Sequence, residues 1–143
     1  MKVQKPDGLW GFINTNGKVL GQVKWYSIGD FRDGMAMVCE QIASGTGWNK
    51  TYTKNYGFID EQGNPVGEVH WAAVNDFSNG LAAVSENGLW GFIDKTNTLV
   101  IPCQYAEVNA FTAEGTCDVK TPQGTWKVID QSGNDAFFGG NKN

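Results

Sequence analysis

Leucine is scarce in this chain, with five in 143 residues, and no apolar run approaches the roughly 18 residues of a membrane span. The second shortage argues against membrane insertion by a helix. Met1-Lys2-Val3-Gln4 also leads into no signal-peptide core, so the expected location is cytoplasmic. A surface or secreted location becomes the expectation if the chain is an excised fragment. Basic clusters are missing too. The 11 Lys and Arg residues are scattered singly and the net charge is −4, which argues against backbone-driven nucleic-acid binding. Cysteine is limited to Cys39, Cys103 and Cys117, an odd number without CxxC spacing. Three reduced thiols are the simplest expectation, with neither a disulfide framework nor a zinc site. No G-x-G-x-x-G, P-loop, G-x-S-x-G or H-E-x-x-H occurs, so no catalytic residue, cofactor or metal is expected.

What is abundant points elsewhere. Nineteen glycines and 13 asparagines imply many turns, while aromatics reach 13%, including six tryptophans. With so few helix formers, the composition suggests an all-β chain of one ordinary domain, residues 1–143.

Self-comparison is the most informative step. Leu9-Trp10-Gly11-Phe12-Ile13-Asn14 recurs as Asn55-Tyr56-Gly57-Phe58-Ile59-Asp60 and as Leu89-Trp90-Gly91-Phe92-Ile93-Asp94. A weaker copy is Thr125-Trp126-Lys127-Val128-Ile129-Asp130. Fifteen residues after the first aromatic stands Trp25, Trp71 or Tyr105, and 21 residues after it stands Phe31, Phe77 or Phe111. The spacings of 46, 34 and 36 residues define tandem units of about 34–36 residues, the first lengthened by an insertion at 41–54. The units run over about 9–54, 55–88 and 89–124, with partial units at 1–8 and 125–143. Residues 3–8 align with 119–124, so the chain opens on the equivalent of a previous unit's last strand.

Each unit reads as an antiparallel meander. Asn14, Asp60, Asp94 and Asp130 are placed to cap type I turns, with Gly17, Gly63, Asn97 and Gly133 in the left-handed position three residues later. Asn87-Gly88 signals a tight hairpin between residues 81–86 and 89–93. Glycine inside a strand marks close approach by another group, expected here to be a side chain from an adjacent strand or repeat lying across Gly11, Gly57 and Gly91. Lys127 replaces that glycine in the last copy and suits an edge.

These residues resemble the WG-repeat family, also called KWG repeats, bacterial arrays named for the tryptophan-glycine pair. The third copy matches best, through Trp90-Gly91-Phe92-Ile93-Asp94, Val100-Ile101-Pro102, Tyr105, Phe111 and Gly115. The first two copies have Gly21-Gln22 and Gly67-Glu68 in place of the Ile-Pro pair. The resemblance implies a β-repeat module that binds proteins or surface ligands, with no catalytic residues to carry over. The array is expected either as an open solenoid or closed with pseudo-threefold symmetry, and a β-trefoil is a structural alternative.

The candidate residues divide into core and surface. Trp10, Gly11, Phe12, Tyr56, Gly57, Phe58, Trp90, Gly91, Phe92 and Trp126 form the expected repeat core, joined by Trp25 and Trp71. His70 aligns with Lys24 and Gln104, a solvated position; Cys103 and Cys117 align with Val and Ala, as core fillers. Cys39 aligns with Ser85. Trp48 has no repeat equivalent and stands with Lys50 and Tyr52 in the insertion, expected as an irregular segment of the kind where repeat scaffolds often place specificity. It either anchors a partner or folds back over an edge strand. Asn49-Lys50-Thr51 reads as an accidental glycosylation sequon. The expected function is non-enzymatic binding of a protein partner, the alternative being a carbohydrate or small ligand.

Overall fold

Every aromatic-glycine strand pairs with the last strand of the unit before it, so the sheets are offset from the sequence repeats. The computed structural model describes residues 1–136; the end of the partial unit, from 137 to 143, lies outside the described residues. Two compact units emerge, residues 1–72 and 73–143.

In the first, β1 (Lys2–Gln4), β2 (Trp10–Ile13) and β3 (Val19–Trp25) form one antiparallel sheet in that order. β4 (Ser27–Arg32), β5 (Met35–Ser44) and β6 (Thr51–Ile59) form a second. In the other unit, β7 (Ala73–Val74), β8 (Ala82–Glu86), β9 (Leu89–Ile93) and β10 (Leu99–Tyr105) make a four-stranded sheet of order β10-β9-β8-β7. β11 (Glu107–Val108), β12 (Thr116–Lys120) and β13 (Trp126–Asp130) make the fourth sheet. The chain is thus all-β with tandem antiparallel sheets. Each sheet is open, and the closed barrel that a trefoil requires does not form among the described residues.

The turns follow from the residues that cap them. The Asn14, Asp60, Asp94 and Asp130 Oδ1 atoms each accept the backbone N–H groups two and four residues on, at 2.9–3.1 Å. Gly17, Gly63, Asn97 and Gly133 then take φ of 79°, 82°, 67° and 86°. Asn87 and Gly88 both have positive φ, which makes the hairpin that registers Ala82 on Ile93 and Glu86 on Leu89.

Glycine inside the repeat strand has a steric cause. The register between β9 and β10 jumps from Phe92↔Ile101 to Trp90↔Tyr105, so extra residues of β10 arch over Gly91. A Cβ at Gly91 would strike the Ile101 carbonyl oxygen and come within 2.7 Å of the Cys103 nitrogen. Gly11 and Gly57 lie under the side chains of Val23 and Val69, as expected, whereas at Gly91 the group that approaches is backbone rather than a side chain. After the arch, β3 leads directly into β4 of the next sheet and β10 leads into β11. The aromatics at these exits, Trp25 and Tyr105, are buried, as is Trp71. In the fourth copy the residue that would arch over Lys127 is 139, outside the described residues.

The core of residues 73–143 joins Phe92 and Ile101 to Phe111, Cys117, Val119 and Ile129. Its counterpart in residues 1–72 gathers Trp25, Ile28, Ala36, Val38 and Ile59. The two repeat phenylalanines meet in each, Phe12 against Phe31 at 4.9 Å and Phe92 against Phe111 at 4.8 Å between ring centroids. The missing Ile-Pro pair of the first copy also has a structural counterpart. Ile101 is fully buried beneath the turn at Gly133, whereas Gly21, at φ 70°, lets the Gly63 backbone occupy the space a side chain would need.

Two expectations need correction. Trp126 is not core: it is 49% exposed, because β12 is the only strand registered beside it among the described residues. Trp10 and Trp90 instead have strands on both sides, opposite Trp25 and Tyr105 as third-strand partners, and are half-buried. The insertion at 41–54 is also not irregular. It continues β5 and β6 in unbroken register out to Ser44↔Thr51.

Gly91→Ala is expected to destabilise the protein by about 1–3 kcal/mol, because backbone must move to admit the methyl. Gly29→Ala serves as control, since its Cβ would meet nothing nearer than 3.5 Å, and should change stability little. Equal urea midpoints for both variants would show that the arch is not what demands glycine. The Asp94 carboxyl, hydrogen-bonded by the Thr96 hydroxyl and by the Thr96 and Thr98 amides, is held below its ordinary value of 3.8. Its contribution to stability is therefore present above pH 3.8 and lost as pH falls through the lower folded-state value. Asp94→Asn keeps the acceptor, as Asn14 does naturally, so its stability deficit should shrink toward zero below that value. A deficit independent of pH in urea titrations would refute the assignment.

Candidate functional site

The 41–54 insertion is a two-stranded arm. Tyr26 N–H donates to the Cys39 carbonyl at 2.8 Å, while Tyr56 and Trp71 exchange backbone hydrogen bonds of 2.9 and 3.0 Å. The backbone groups of Cys39 and Tyr56 therefore point away from each other, and alternation along a strand extends this outward to Gln41, Ala43, Lys54 and Tyr52. Beyond these points β5 and β6 are registered only on one another among the described residues. Among the described residues, both edges of the arm thus present unoccupied positions for a further strand.

The tip is closed by a 3₁₀ turn, Gly47–Asn49. Gly45 takes φ 91° and packs so closely on the Asn49 carbonyl that a Cβ there would collide with it. Thr51 Oγ1 donates to the Ser44 carbonyl at 3.4 Å across the base of the tip. This geometry throws Trp48 entirely into solvent, with a relative exposure of 103%. Trp48 does not fold back over an edge strand.

The strand period places Tyr52, Lys54 and Tyr56 on one face of β6. Tyr52 is 59% exposed, and the Lys54 ammonium sits 4.6 Å from the centre of the half-exposed Tyr26 ring. Toward the root of the arm, burial and the neighbouring Cys39 thiol push the Tyr56 phenol above its ordinary value. Ile42, on the other face of the arm, is 45% exposed. Lys24 pairs with Glu40 at 3.5 Å beside the arm's root. Within 41–54 there are two lysines and no acidic residue, in a chain of net charge −4.

Of the three site residues expected from the sequence, Trp48 and Lys50 lie at the tip and Tyr52 just behind it, all exposed. Tyr26, Ile42 and Lys54 were missed. Lys54 and Tyr52 are two residues apart, the spacing that shares a strand face, so a strand reading of 51–59 would have found the pair.

The histidine and the thiols lie outside 41–54. His70 is exposed and its ring lies 4.2 Å from that of Trp71. Cys39 and Cys117 are buried and Cys103 is half-buried, all three as free thiols. Burial pushes the Cys117 thiol up to about 11, where it stays protonated and donates to the Asn109 carbonyl at 2.9 Å. No group of three or more metal-ligating side chains occurs among the described residues. A small pocket of about 130 Å³ lies against Gly21, Gln22, Lys24, Trp25, Asn64 and Pro65, too small for a drug-sized ligand.

No curated protein matches the chain. A family model for the WG containing repeat matches three segments, residues 10–41, 56–90 and 90–126. Each match begins at the aromatic before the arched glycine, Trp10, Tyr56 or Trp90, and includes the buried aromatic 15 residues later, and the chain belongs to the WG-repeat family.

Proposed function

We propose that this WG-repeat chain is a non-enzymatic binding module that recognises a protein partner through the arm at 41–54, with Trp48, Lys50 and Tyr52 in the contact. The full exposure of Trp48 at the end of an ordered ribbon supports this reading. A tryptophan buries roughly 150–250 Å² in a contact. At roughly 25 cal/mol per Å² that is a gross gain of about 4–6 kcal/mol, part of which offsets the cost of association. Tyr52 extends the apolar surface on one face of the ribbon, and Ile42 adds an exposed apolar group on the other.

A glycan is the second reading. Trp48 stands beside Asn49, the pairing of an aromatic face with an amide that suits a sugar ring. The arm is a two-stranded ribbon with Trp48 fully exposed at its tip, however, whereas a sugar site is expected as a shallow groove. Catalysis has less support, since no general acid, base and nucleophile come together around the described pocket.

Affinity capture from the native host should recover a protein with the wild type and lose it with the Trp48→Ala/Tyr52→Ala variant. Circular dichroism must first show that the variant retains its β signal. The same partner held by both forms would remove the arm from the contact. An empty capture combined with a positive glycan array would replace the protein with a carbohydrate.

A further inference from the structure

Resting on that reading, we propose that the partner contributes an extended acidic segment, which pairs as a strand along the outer edge of β6 at Tyr52 and Lys54. The backbone groups of these two residues point away from β5, continuing the line on which Tyr56 already pairs with Trp71. A strand added there would accept and donate hydrogen bonds in the same alternation, the mode known as β-augmentation.

Charge decides what kind of strand fits. Natural edge strands are protected by lysines, which repel a second copy of themselves and disfavour uncontrolled pairing. Lys54 on β6 and Lys50 just before it are placed to do this, and residues 41–54 hold no acid to balance them. The same lysines attract carboxylates. An incoming segment with acidic residues on the face it shares with Lys54 and Tyr52 would complement the arm while the rest of this chain, carrying the surplus of acid, repels it elsewhere. Trp48 at the tip and Tyr52 on the strand would cover apolar side chains of the same segment.

The probe is a fluorescein-labelled decapeptide alternating glutamate with threonine and valine, titrated against the intact chain by fluorescence anisotropy. Two further peptides replace glutamate by lysine, or methylate every second backbone nitrogen while keeping the charge. The acidic peptide should bind at least about tenfold more tightly than either. Amide resonances of Tyr52 and Lys54 should shift and gain exchange protection. The Lys50→Glu/Lys54→Glu variant should reverse the preference between acidic and basic peptides, which a misfolded protein would not do. Equal affinity for the methylated peptide, or equal binding of a heparin oligosaccharide at the same residues, would reduce the contact to charge alone and overturn the proposal. Absence of binding, or shifts confined to other strands, would overturn it as well. The two ideas fail separately. If the captured partner is lost with Trp48→Ala/Tyr52→Ala but the acidic peptide does not bind, the arm remains the site and the acidic strand is wrong.

Discussion

The close approach of one strand over the glycine of another is the contact on which the rest of this fold depends. Because no Cβ stands at Gly11, Gly57 or Gly91, the following strand can arch across the sheet instead of lying flat beside it. The arch redirects the chain into the next sheet, as seen from β3 to β4 and from β10 to β11. It also positions the aromatic that ends the strand, Trp25 or Tyr105, where it becomes buried. A single missing methyl group thus sets the direction of the chain, the offset between sheets and repeats, and the location of the largest core side chains. The Asx-capped turns play the complementary part, since they return the chain at a fixed distance so that the arch falls on the glycine.

Much of this was legible in the sequence because repetition reveals which residues are constrained. Asn14, Asp60, Asp94 and Asp130 recur in register, and each caps its turn through the same pair of hydrogen bonds. Gly11 and Gly91 pointed to close approach, and β1 took the place of a preceding unit's last strand, opposite β2. Trp126 was misread for a physical reason: periodicity identifies a position, whereas burial depends on a third strand that β13 lacks among the described residues. The arm was legible only as an insertion. Its Ser-Gly-Thr-Gly stretch suggests a loop, yet Gln41 to Ser44 and Thr51 to Lys54 keep the register of the strands they extend. With no second copy to compare, the alternation of Tyr52 and Lys54 was the only internal signal.

The contrast between repeat and arm bears on function. Core residues recur because each sheet solves the same packing problem, so they carry little information about a partner. Trp48, Lys50, Tyr52 and Lys54 belong to the arm and are placed by the register below them rather than by burial. An exposed aromatic on such a ribbon is not used by the fold, which leaves its surface open to a contact outside it.

The offset between sheets and repeats has a consequence for dividing the molecule. A cut at a sequence boundary, such as the one before Leu89, separates β9 from β8 and leaves two incomplete sheets. A cut between sheets, after Trp25 or Tyr105, leaves every strand with its partners. Strand pairing is therefore kept by a boundary out of phase with the tryptophan-glycine period, and what such a boundary parts is the aromatic contact between sheets, Phe12 from Phe31 or Phe92 from Phe111.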